Sequence, residues 1–326
     1  MSCVDRVLEQ YPALEAYLKE LVFEDPSKTS NEMLKTMNNC YTKIYLEFLF
    51  CVLSLLTEFN ILFQSEAPLL YKLKSEVERL LTNIVSNYIE LKYVKSLTNI
   101  FEVDETNPHH FEKQDNIYIG MEASESILLI KSSTTTQDLD IFYNFCLNFY
   151  IELVKDIKSR FNFVVSDPLF DIIQIVDPAH AQSFQTKSLK QFFIRFPILN
   201  NIVNQQLAEQ EWREHALLNH STENLDTSIS VEDYWSSVFN IKNSVGTPLF
   251  NNLKVVIKLL LVLPFSNASV ERVFSTLNLC NTAHRNRLKT ETLRAIIMTT
   301  KDRIKSEKGI VAFNPSKAML NEKLWS

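Results

Sequence analysis

Pro264-Phe265-Ser266-Asn267-Ala268-Ser269-Val270-Glu271-Arg272-Val273-Phe274-Ser275-Thr276-Leu277 is the stretch on which the reading of this chain turns. Pro264 breaks whatever precedes it, and Ser266, Asn267 and Ser269 offer N-caps to a new helix. Val270, Val273, Phe274 and Leu277 then recur at helical spacing as an apolar stripe. Glu271 stands about 100° round from Val270, at the edge of that stripe. Two roles are open to it. It is an ordinary first-turn carboxylate favoured by the helix dipole, or it faces a neighbouring site.

Working outward, the composition favours helices. The chain has 326 residues, 46% of them hydrophobic, enough for one large or two smaller domains. Only three are glycine, which leaves few tight hairpins and no Gly-rich phosphate loop. The net charge of −6 argues against a general nucleic-acid coat. The charge is uneven, however. Between residues 281 and 308, eight basic residues stand against three acidic ones. Cys3, Cys40, Cys51, Cys146 and Cys280 are scattered, with no recognisable secretory leader, and are expected to be reduced intracellular thiols. The aliphatic run Val255–Leu263 contains Lys258 and is too short to span a bilayer, so no membrane partner is expected.

The periodicity predicts a helix over residues 4–22. A heptad seam follows at Tyr41, Tyr45, Phe48, Val52, Leu55, Phe59 and Leu62, and a second run at Leu70, Leu73, Val77, Leu80, Ile84, Tyr88 and Leu91. With only Glu66-Ala67-Pro68 between them, these two helices are expected to fold back as an antiparallel pair, the alternative being an intermolecular coiled coil. Residues 101–136 read as a long polar connection. His109 and His110 lie in it without a partner at ligand spacing, and no metal or cofactor is expected. Asp138 is the expected cap of a helix facing the core with Phe142, Phe145, Cys146, Phe149, Leu153 and Ile157. The polar stretch 220–230 reads as a linker between a region 1–219 and a region 231–326. Near the C-terminus, Thr290 is the expected cap of a helix with Glu291 in its first turn and Leu293, Ile296, Ile297 and Thr300 on one face. Periodicity does not tell whether that face is core or interface.

Ser266–Ser275, followed by Arg285-Asn286-Arg287-Leu288 and an aliphatic helix, resembles the C-terminal signature of hAT-family DNA transposases. The likeness is strongest from about Val231 to Arg303. It takes in Glu232-Asp233-Tyr234-Trp235, Pro248-Leu249 and Leu253–Leu263. Looser matches lie at Tyr45–Leu49, Phe59–Pro68 and Asn116–Gly120, which are similar to the helical insertion of that family. The resemblance implies a mainly α chain: a helical insertion domain, then the C-terminal helices of an RNase H-like fold with the sheet mostly absent. It also implies that Glu271 matches the third acidic residue of an Asp/Asp/Glu site. Two-metal strand transfer needs several carboxylates around a cation pair, and neither Asp motif is found before Tyr45. Nor is there a Cys-x-x-Cys zinc finger. The chain is therefore expected to correspond to the C-terminal portion of a transposase and to lack catalysis of its own.

Function by dimerisation is the leading expectation, through Phe274, Leu288, Leu293, Ile296 and Ile297, as a homodimer or with related hAT-derived proteins in the nucleus. One alternative is a fragment of an active transposase performing metal-dependent strand transfer. The other is a DNA-binding regulator in which Arg285, Arg287 and Lys289 contact phosphates, against the plainer reading of a solvated charged face.

Overall fold

The computed structural model describes residues 3–24, 27–65, 67–131, 134–219, 225–280 and 288–298. Within these it is mainly helical, with no strand and only the isolated bridges Ile89–Phe111 and Lys242–Pro248. Helices of seven or more residues are numbered here. They are α1 (Cys3–Glu9), α2 (Tyr11–Glu24), α3 (Lys28–Met37), α4 (Cys40–Phe63), α5 (Leu73–Val85), α6 (Met121–Ile130) and α7 (Thr136–Phe161). Then come α8 (Gln205–Ala216), α9 (Val231–Phe239), α10 (Asn251–Leu261), α11 (Ala268–Cys280) and α12 (Thr290–Met298). Two compact units result. The larger holds residues 1–62 and 67–265, the smaller residues 63–66 and 266–326.

The single helix expected over 4–22 is two. Pro12 has no N–H to continue the first helix and sits in the opening turn of the second, where no donor is needed. The Tyr11 hydroxyl then donates to the Met37 carbonyl at 2.8 Å and holds α2 against α3.

The seam of α4 finds a different partner from the one expected. It packs on α7, with Tyr45 against Phe142, Phe48 against Tyr150 and Phe59 against Phe161 at ring separations of 4.9, 5.4 and 5.6 Å. Residue numbers rise together along both helices, so the pair is parallel. Helix α5 also packs on α7. Its Tyr88 extension stacks on Tyr150, with the rings within 7° of parallel. The reason is in the chemistry of the seam. Aromatic side chains at Tyr45, Phe48 and Phe59 match the Phe- and Tyr-rich stripe of α7 and gain ring–ring contact that the aliphatic stripe of α5 does not offer. By length and composition α4, 24 residues with an 18-residue stretch of mean hydropathy 1.8, is apolar enough to cross a bilayer. Here its Ile44, Phe48, Val52 and Phe59 are buried.

Residues 101–136 are not a bare connection. They contain three 3₁₀ turns and α6, and bury Val103, Ile117, Ile119, Ala123 and Ile127. Lys158 of α7 ties this segment down, donating to the Val103 carbonyl at 2.8 Å and to the Glu105 carboxylate at 2.6 Å. Gly120, at φ 92°, lets the chain turn into α6 where a Cβ would come within 2.8 Å of the Cys51 Cβ. His110 stacks on Tyr93 at 3.7 Å. The cap of α7 is Thr135 rather than Asp138. The Thr135 hydroxyl accepts from the Asp138 N–H at 3.2 Å and donates to the Asp138 carboxylate at 2.6 Å.

Residues on both sides of the 220–230 stretch share one core, and Leu225 within it is buried there. The compact units part instead between Phe265 and Ser266.

Phe48 is fully buried in the α4–α7 seam. Phe48→Ala should cost about 3–5 kcal/mol in urea unfolding, whereas Phe23→Ala, at a site 90% exposed, should change stability by less than about 0.5 kcal/mol.

Candidate functional site

The helices leading to the quoted stretch are fixed by polar groups buried in an aromatic core. Asn204 caps α8, its side chain accepting from the Leu207 N–H at 3.1 Å. Ser230 caps α9, accepting from the Asp233 N–H at 3.1 Å and donating to the Asp233 carboxylate at 2.7 Å. Those caps orient Trp212 and His215 on α8 and Tyr234 and Trp235 on α9 inward. His215 is fully buried between the two indoles, its ring 5.7 Å from Trp212 and 4.9 Å from Trp235. Its Nε2 lies 2.8 Å from the Tyr234 hydroxyl. Burial pushes the Tyr234 hydroxyl up to about 12, while a hydrogen bond with Gln182 pulls the other way. The indole N–H groups find carbonyls, Trp212 that of Thr186 at 2.8 Å and Trp235 that of Val176 at 2.7 Å.

Glu211 joins α8 to α10. Its carboxylate accepts from the backbone N–H groups of Asn252 and Leu253 at 2.8 and 2.7 Å, and from the Asn252 amide at 2.7 Å. Asn252 in turn accepts from the Asn204 N–H at 3.1 Å. A negative charge thus sits at the N-terminus of α10, where the dipole and the unpaired N–H groups both favour it. Leu253, Val256, Ile257 and Leu260 of α10 then point into the core.

The smaller unit carries the quoted stretch itself. Helix α11 starts at Ala268, with the Glu271 N–H bonded to the Asn267 carbonyl at 2.9 Å and the Ser266 hydroxyl accepting from the Ala268 N–H at 3.3 Å. Glu271 is exposed in the first turn. Val270 and Phe274, one turn apart, are 50% and 60% exposed. Val273 and Leu277, on the same stripe, are half-buried. Helix α12 packs against α11. Its opening differs from expectation. The Leu293 N–H bonds to the Lys289 carbonyl at 3.1 Å, so Lys289 stands at the cap and Thr290 is the first helical residue. Glu291 is in the first turn as expected.

The expected site residues therefore separate. Phe274 is exposed, and Leu288, Leu293, Ile296 and Ile297 are half-buried within the same unit. Lys289 is exposed, and Arg285 and Arg287 lie outside the described residues. Among the described residues, no group of three or more His, Cys, Asp or Glu side chains is placed to hold a metal ion. Sequence reasoning passed over Glu211, His215 and Asn252. The signal for the first two was available as polar residues at i and i+4 flanking Trp212 on one helix.

Residues 203–302 match the family model of the hAT family C-terminal dimerisation region. The match supports a transposase-derived protein of the hAT family. It takes in α8 to α12, and so begins 28 residues before the expected start at 231. No curated protein and no solved structure matches the chain.

Glu211→Ala should destabilise the larger unit by about 2–3 kcal/mol in urea unfolding, because two N–H groups at the start of α10 lose a charged acceptor. Glu211→Gln, which keeps one acceptor oxygen, should lose less.

Proposed function

We propose that this chain, which carries an hAT dimerisation region at 203–302, acts by self-association through its C-terminal helices and has no catalysis of its own. The observation that carries this reading is the pair Val270 and Phe274. Both are large apolar side chains at least half exposed, one turn apart, inside the matched region. Leu293, Ile296 and Ile297 on α12 extend the apolar surface of the same unit. Covering each such side chain in a partner contributes roughly 1.5–3 kcal/mol before association costs. A second copy of this chain or a related hAT-derived chain supplies a matching surface. Nuclear residence belongs to the same reading.

Sedimentation tests it. The wild-type chain should dimerise at tens of micromolar or below, roughly the range of a weak standard interface. Phe274→Glu or Ile297→Glu should shift it to monomer while the α-helical circular dichroism is kept. A wild-type chain that stays monomeric at that concentration would leave the stripe as ordinary surface and defeat the reading.

The absence of catalysis rests on Glu271. It is exposed, and it is the one carboxylate assigned to an Asp/Asp/Glu site. A cation pair needs several carboxylates to hold it and to activate water. The isolated chain should not cleave DNA with Mg²⁺ or Mn²⁺. Cleavage that is lost in Glu271→Gln would reverse this conclusion.

A further inference from the structure

Away from the dimerisation region, α1, α4 and α6 of the larger unit enclose a cleft of about 530 Å³. Its walls carry five carboxylates, Asp5, Glu9, Glu47, Glu122 and Glu125, against one ammonium, Lys43. Acidic surface alone would be unremarkable in a chain of net charge −6. Glu47 makes this cleft different. Its side chain is only 5% exposed. One oxygen lies 3.4 Å from the Lys43 ammonium, and the other, Oε2, is buried with no hydrogen-bond partner. A buried carboxylate that is half satisfied is costly, and a cation brought alongside it offsets that cost.

The remaining lining narrows the ligand. Leu8, Phe50 and Leu129 supply apolar surface between the carboxylates. The acidic groups are spread over three helices, and among the described residues none cluster closely enough to hold a metal ion. Separated negative charges with apolar surface between them suit a cation whose charges are also separated by methylene groups. We propose that this cleft binds an organic cation bearing ammonium or guanidinium groups on an aliphatic spacer. The buried Glu47 takes one charge and the exposed Glu122 and Glu125 take another. The same chemistry is carried by a free polyamine and by the basic side chains of a protein segment.

Titration calorimetry of the full chain with spermidine and, separately, with a pentalysine peptide tests this at about 0.15 M salt, where loose surface attraction is largely screened. At least one probe should bind saturably with a stoichiometry of one. Glu47→Gln and Glu125→Gln should each weaken that binding by about tenfold, a loss of about 1.4 kcal/mol. Tighter binding of spermidine would assign the cleft to free polyamines, and tighter binding of the peptide to basic protein segments. Circular dichroism and urea unfolding confirm that each variant is folded. The proposal is overturned if neither probe saturates below about 1 mM, or if folded Glu47→Gln and Glu125→Gln bind as the wild type does.

Discussion

The carboxylate of Glu211 is the constraint on which the C-terminal half of the larger unit depends. It is buried, and it is matched by donors from the start of α10. A carboxylate in that position is stable only while those donors are present, and the opening turn of α10 is satisfied only while the carboxylate is. The two helices are therefore placed together or not at all. His215, one turn further along α8, extends the same logic to α9 through Tyr234 and Trp235. Polar contacts give these three helices a single relative arrangement, and the surrounding apolar side chains supply most of the stabilisation.

This arrangement is consistent with the family match starting at 203, upstream of the linker-like stretch. A segment rich in Ser, Thr, Asn and Asp looks like a boundary because it has no apolar period. Leu225 and the cap at Ser230 are all it needs to return the chain to the core. Sequence composition reports local solvation, whereas domain membership is decided by long-range contacts such as Glu211 to Leu253.

Much of the local structure was legible for the same reason that the boundary was not. The stripe Val270, Val273, Phe274 and Leu277 and the acidic first turns of α11 and α12 depend on near neighbours, and they appear as read. The helix break at Pro12 and the cap at Thr135 are also local, signalled by a missing N–H and a Thr-x-x-Asp spacing, but the apolar period alone ran one helix through Pro12 and put the cap at Asp138. The pairing of α4 with α7 was not legible. A seam states that a helix wants a partner and does not name it, and loop length favoured the neighbour over the better chemical match. Of the candidate site, the exposed pair Val270 and Phe274 was foreseeable as a stripe, but its exposure depends on what the rest of its unit covers.

The parallel pairing of α4 with α7 has a consequence for the birth of the chain. About a hundred residues separate the end of one helix from the end of the other. At a synthesis rate of about 5–20 residues per second, α4, the one described helix apolar and long enough to cross a bilayer, waits some 5–20 seconds before its partner is complete. Phe48, Val52 and Phe59 are uncovered through that interval, which is long compared with the collapse of a chain this size. Through such a delay the apolar face of α4 is open to aggregation, a hazard set by the order of synthesis and not by the stability of the finished fold.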